Sequence, residues 1–367
     1  MVSERVHRIL TYIGYGVMIS AVVAVVVCAE MLSRKHRTTQ PIERLDINVT
    51  GGGTHPLADA ESIEEWIAGY DLLREGMTLD QVNIGAIERA TLEHSAVAEA
   101  NSHITYNGVI TLDVALREPI ARLRLEGYDM YVTKDGFLLP TVEGRTMPLM
   151  VITGDYAPLF AADYTGFASE RANDSIAALN NRIERLEAAK LPYYRQLDAN
   201  DAELREVVNQ SVRKGLFMSK QEHKVLTAAL QERKVEARER HNAKRRSIEA
   251  EIARLESEQL QTRLDVERVK RANDDFYALL DMLVHIAESN FWQAEVVQVT
   301  VVKSNNGAME LGIVPRSGDF VVDLGSPTRL DEKLADLYHF YHNGLDKVGW
   351  DKYANISLHY RGQVVCH

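Results

Sequence analysis

A chain of 367 residues, 46% hydrophobic and 26% charged, has the make-up of a globular protein and the length for two or three domains. Its 53 acids against 42 Lys and Arg give a net charge of -11, which excludes a generally basic, nucleic-acid-binding face. Cys28 lies in an apolar run and Cys366 is next to last, a poor basis for a structural disulfide or a thiolate metal site.

Residues 9–29, "ILTYIGYGVMISAVVAVVVCA", carry no charge and are long enough to span a bilayer as a helix. The run exceeds the roughly 7–15 residue core of a cleaved signal peptide, so an uncleaved anchor is expected. Arg5 and Arg8 precede it and Arg34, Lys35 and Arg37 follow it, so charge leaves the orientation open. Residues 1–8 form a short tail and 30–41 a polar linker.

From residue 42 the pattern is globular. "IERLDINVTGGG" reads as a strand and a turn. Leu57, Ile63, Trp66, Ile67 and Tyr70 follow at helical spacing, and so do Ile84, Ile87 and Leu92 behind Asn83 as N-cap. "AVAEANSHITYNGVITLDVAL" reads as two strands joined at Asn107-Gly108, a strong hairpin signal. Residues 42–117 are therefore an α+β unit of order strand, helix, helix, strand, strand.

After Arg117-Glu118-Pro119 short strands take over, with a tight hairpin at Asp135-Gly136 and an end near Gly154. Residues 161–272 differ: they are rich in Ala, Glu, Arg, Gln and Leu. Ile176, Leu179, Ile183 and Leu186 step by three and four, as do Ile248, Ile252, Leu255, Gln259, Thr262, Val266 and Val269. This predicts a long antiparallel helical insertion, interrupted at Pro192 and bent near 209–220. A more apolar helix follows from Asp274, then strands with turns at Asn306-Gly307 and Ser317-Gly318, a helix over "RLDEKLADLYHFYHNGLDKVGW", and a closing strand in "YANISLHYRGQVVCH". A β region over 118–367, split by the insertion, must have both insertion ends close together.

In that order, several stretches resemble the bacterial cell-division family FtsQ, called DivIB in some lineages, and especially its Bacteroidetes forms. They are "IERLDINVTGG", "GMTLDQVNIGAIERATLEHSAVAEANSHITYNGVITLDVALREPIARL", "MYVTKDGFLLP" with "PLMVITG", and "KLADLYHFYHNGLDKVGWDKYANISLHYRGQVVC". The insertion departs from the family pattern. The resemblance implies a POTRA-like unit over 42–117 and a single-span inner-membrane protein with a cytoplasmic N-terminus and a periplasmic bulk at the division septum. It implies a non-enzymatic scaffold that binds the FtsB–FtsL pair and helps regulate septal peptidoglycan synthesis by FtsW and its transpeptidase partner. In the family the partner adds a strand to the last strand of the β domain.

That mode fits the closing strand, where Ile356, Leu358 and Tyr360 alternate with Ser357 and His359. A final strand is naturally an edge with one row of backbone groups unpaired, and strand addition satisfies them. The candidate contact is Ile356, Ser357, Leu358, His359 and Tyr360 with Gln363, Val364 and Val365, and Trp350 and Tyr353 as aromatic anchors. One face of the strand must be core, so Ile356, Leu358 and Tyr360 face either inward or toward a partner.

No catalytic, cofactor or metal site is expected. His339 and His342 sit three apart on a helix without a further ligand in the local pattern. Gly51-Gly52-Gly53 has no following Lys-Ser/Thr, and no nucleophile-elbow motif occurs. Two other readings remain: a POTRA-type docking protein of an envelope assembly or secretion machine, and a membrane-anchored coiled-coil tether.

Overall fold

The computed structural model describes residues 2–367 except Thr54, 142–146, 305–306 and Asp351, with side chains described from Tyr15 onward, Arg37 aside. Asn306 of the expected Asn306-Gly307 turn and the side chains of residues 9–14 of the expected span lie outside the described residues. The fold is α+β, with one N-terminal apolar helix and a large mixed sheet.

Helix α1, Val2–Thr39, contains a stretch long and apolar enough to cross a membrane, Tyr15–His36. The helix runs through most of the segment expected as linker. Its last turns are held by the first globular unit. The His36 ring stacks on Tyr106 with centroids 3.8 Å apart, and His36 Nε2 lies 2.9 Å from the Tyr106 carbonyl. Glu43 N–H donates to the Gly108 carbonyl. Gly108 has φ +87°, and a Cβ there would sit 2.5 Å from the Pro41 carbonyl, so only glycine fits this close approach.

The first unit follows the expected order. Strand β1 (Arg44–Gly51), helices α2 (Ala60–Ala68) and α3 (Ile84–Leu92), and strands β2 (Val97–Ile104) and β3 (Val109–Leu116) form a sheet of order β1-β3-β2. Asp59 and Ser62 make a capping box at the start of α2. The Asn83 side chain accepts from Ala86 N–H at the start of α3. Ile63, Ile67 and Ile87 then bury the inner helix faces against Ile110, Leu112 and Val114 of β3.

The second sheet has ten strands. They are β4 (Pro119–Leu125), β5 (Tyr128–Thr133), β6 (Phe137–Pro140), β7 (Met150–Gly154), β8 (Gly166–Phe167), β9 (Val296–Lys303), β10 (Met309–Pro315), β11 (Val321–Gly325), β12 (Asn355–Ser357) and β13 (Val365–Cys366). Their spatial order is β13-β12-β11-β10-β9-β7-β4-β5-β6-β8. β7 and β9 pair in parallel, Val151 opposite Gln298, so strands from both sides of the helical segment lie side by side. At that junction Gly154 has φ +112°, and a Cβ would overlap the Val301 carbonyl.

Helices α4 (Ala168–Val208) and α5 (Lys220–Glu288) pack antiparallel, as Lys190 meets Gln259 and Asn200 meets His241. The chain reverses at 209–219. At about 1.5 Å per residue, α4 is about 60 Å long and α5 about 100 Å. The seam mixes buried Ile248, Ile252, Leu255 and Val266 with buried Lys190, Asn200, His241, Gln259 and Thr262. Two expectations change here. Pro192 lies inside α4 without ending it, because pairing with α5 on either side outweighs the lost backbone donor. No separate helix starts at Asp274: α5 runs on unbroken, and its last turns bury Phe276, Leu279, Leu280, Met282, Leu283 and Ile286 against the large sheet.

Candidate docking site at the C-terminal sheet edge

Between β11 and β12 the chain crosses over through helix α6 (Leu330–Phe340) and a π-helical turn over Tyr341–Leu345. β12 then pairs with β11 in parallel, Val322 opposite Ile356 and Asp323 opposite Ser357. A turn at Arg361-Gly362, with Gly362 at φ +65°, sends β13 back antiparallel on the far side of β12. The single terminal strand expected from Ile356 to Val365 is therefore two strands. β12 lies between neighbours of its own chain, and the sheet edge belongs to β13.

The hydrogen bonds define which groups face outward. Asn355 N–H donates to the His367 carbonyl at 3.2 Å, and His367 N–H donates back to Asn355 at 2.9 Å. In an antiparallel pair such exchanges alternate with non-bonded pairs, so Cys366, opposite Ile356, turns its N–H and C=O away from β12. Burial pushes the Cys366 thiol pKa up.

The expected contact residues separate by face. Ile356 and Leu358 are buried in the core, on the side of Leu334 and Leu337 of α6. Ser357 is half-buried, with its backbone flanked by Asp323 and Val365. Trp350 and Tyr353 are half-buried against the same core. The Trp350 ring meets Tyr341 edge-on at 5.0 Å and tilts over Phe320, so it anchors the crossover from within. His359, Tyr360 and Gln363 are exposed, and Val364 and Val365 half-buried. Tyr360, at 65% exposure, is the aromatic side chain that stands at this edge.

Several charged groups hold the edge in place. His359 Nε2 lies 2.8 Å from Asp323 Oδ2, which ties the segment after β12 to β11. Arg361 Nε donates to Glu332 Oε1 at 3.0 Å, and this bond, with Arg329 nearby, holds the Glu332 carboxyl below its ordinary pKa. Lys333, 3% exposed, donates to the carbonyls of Leu324 and Ser326, both at 2.7 Å. Burial, and then Arg329, pull its ammonium below the usual lysine range. These partners were not apparent from periodicity. The Arg361-Gly362 turn was also missed, although a glycine between two β-prone runs is a hairpin signal that could have found it.

Among the described residues no group of three or more His, Cys, Asp or Glu side chains is placed to hold a metal. His342 instead packs edge-on to Tyr338, 4.5 Å away, and sits 3.8 Å from Asp346.

The sequence model of the family described as "FtsQ/DivIB, C-terminal related" matches residues 247–367. That span takes in the second half of α5 and every strand from β9 to β13. Residues 247–367 are FtsQ/DivIB-type. No curated protein matches the chain. The FtsQ/DivIB-related segment suggests a division-associated protein, and α1 is consistent with a membrane anchor. The outward groups of Cys366 lie within this segment, and so do Tyr360 and the charged ties around them.

Proposed function

We propose that this protein is a non-enzymatic divisome scaffold of the bacterial inner membrane. Its N-terminus is cytoplasmic and its bulk periplasmic, at the septum. It captures the FtsB–FtsL pair by strand addition, and through that pair it bears on FtsW and its transpeptidase partner. In this reading residues 42–117 are the POTRA-like domain, 118–367 the β domain, and the helix pair within 161–272 a coiled-coil insertion. The observation that carries it is the outward-facing backbone of Cys366 at the end of a mixed sheet. An incoming strand would bond Cys366 and extend the sheet, with Tyr360, Gln363, Val364 and Val365 beside it. Burial takes Ile356 and Leu358 out of the contact and leaves Ser357 and His359 as its flank.

The test is affinity purification of the tagged full chain from its host, beside a Cys366→Pro variant. Proline removes an outward donor and leaves the bonds to β12 intact. Recovery of FtsB and FtsL with the parent and their loss with the variant is the expected result. Equal recovery by a variant of unchanged melting temperature would sink strand addition at β13. Recovery of outer-membrane assembly factors instead would favour the envelope-machine reading.

A further inference from the structure

The loop at the far end of the helix pair has a composition unlike the rest of the chain. Between Val207 and Gln221 there is no acid, while Arg213, Lys214 and Lys220 supply three positive charges in a chain of net charge -11. Leu216 and Phe217 project there at 101% and 102% exposure. Beside them Met218, Val225 and Leu226 line an open apolar hollow with Gln221 and Glu222. Glu222 is already engaged, since its carboxylate accepts from Ser219 N–H in the capping box that starts α5.

A projecting Leu216-Phe217 pair beside an apolar hollow, flanked along the chain by exposed Arg213, Lys214 and Lys220, matches a fluid, anionic, apolar-cored surface. It does not match a second copy, which would bring two sets of three positive charges together. We propose that the 209–219 loop inserts into the anionic phospholipid surface of the bilayer that holds α1. A few apolar side chains grip a membrane weakly alone but suffice when another element already tethers the chain there. The proposal rests on reading α1 as an anchor, and makes the helix pair a strut with a second foothold.

The test uses the full chain reconstituted in vesicles of acyl-brominated phosphatidylglycerol and phosphatidylcholine. Phe217→Trp places an indole at the tip, and the unsubstituted chain gives the background of the three native tryptophans. Bromine quenching of the added indole is the expected result. It should be lost in zwitterionic vesicles, and lost when Arg213→Ser, Lys214→Ser and Lys220→Gln are combined with Phe217→Trp. Helical circular dichroism must match the parent, as it should for substitutions at an exposed loop.

A chain that fails to float with alkali-washed vesicles overturns the anchor reading and this proposal with it. A chain that floats without quenching overturns this proposal alone. Quenching only by brominated vesicles added in trans overturns the choice of bilayer, and quenching that survives the charge removal overturns the anionic recognition.

Discussion

The two ends of the ten-stranded sheet are both strands of two residues, β8 and β13, yet they are finished differently. At the β8 end the chain closes its own edge. The Tyr164 hydroxyl donates to the Phe167 carbonyl at 2.9 Å and its ring covers Gly166. At the β13 end the last paired strand has no such cover among the described residues, and Cys366 presents both backbone groups outward. Short edges and covering side chains are the usual protection against unwanted pairing. One edge of this sheet therefore has an outward carbonyl capped by its own chain, and the other has no such cap among the described residues.

The comparison is broken most strongly from inside. Ile356→Ala, fully buried in β12, should cost about 2–5 kcal/mol by melting or denaturant titration, because it empties core space beneath the β13 end. A stability change near zero would mean that this face is not core.

Proline at the two positions of β13 should separate fold from docking. Val365→Pro removes a donor directed at Ser357 and should detach β13, lowering both stability and partner recovery. Cys366→Pro should leave melting nearly unchanged and weaken partner binding by about tenfold or more, roughly 1.4 kcal/mol per decade. Similar behaviour of the two variants would erase the distinction between inner and outer backbone groups.

At the closed end, Tyr164→Phe removes one hydrogen bond and should cost about 1 kcal/mol, read by chemical denaturation, with no effect on partner recovery.

The smallest effect is electrostatic. Glu332 is held below the ordinary glutamate value of 4.5, first by its bond to Arg361. A depressed carboxyl contributes stability above its unfolded value, and this is lost as pH falls through the lower folded value. NMR titration should find Glu332 below 4.5, and Arg361→Gln should move it upward. The pair is solvent-exposed, so melting temperature should hardly change.

Much of this architecture was legible along the chain. Asn83, Asn107-Gly108 and Asp135-Gly136 mark a cap and two hairpins because each satisfies a local backbone need. The alternation of Ile356 and Leu358 correctly marks a buried face. Tyr360, third in the same series, is exposed because the turn begins there, with Gln363 N–H bonded to its carbonyl. Period-2 patterning reports which face is buried and is silent on which neighbour bonds the backbone, so it could not place β12 inside the sheet. Trp350 was open to misreading for a related reason: an aromatic beside a strand serves as an interface anchor or as a core wedge, and only Tyr341 and Phe320, distant in sequence, decide for the wedge. The continuity of α5 past Asp274 likewise depends on packing against the sheet, which no local signal carries.

The grip of His36 on Tyr106, with Gly108 wedged against Pro41, leaves no swivel between α1 and the first globular unit. If α1 turns or tilts in the lipid, that unit must turn with it like a key on its shaft. With α1 in a bilayer, the azimuth of that one helix would set the heading of the first globular unit.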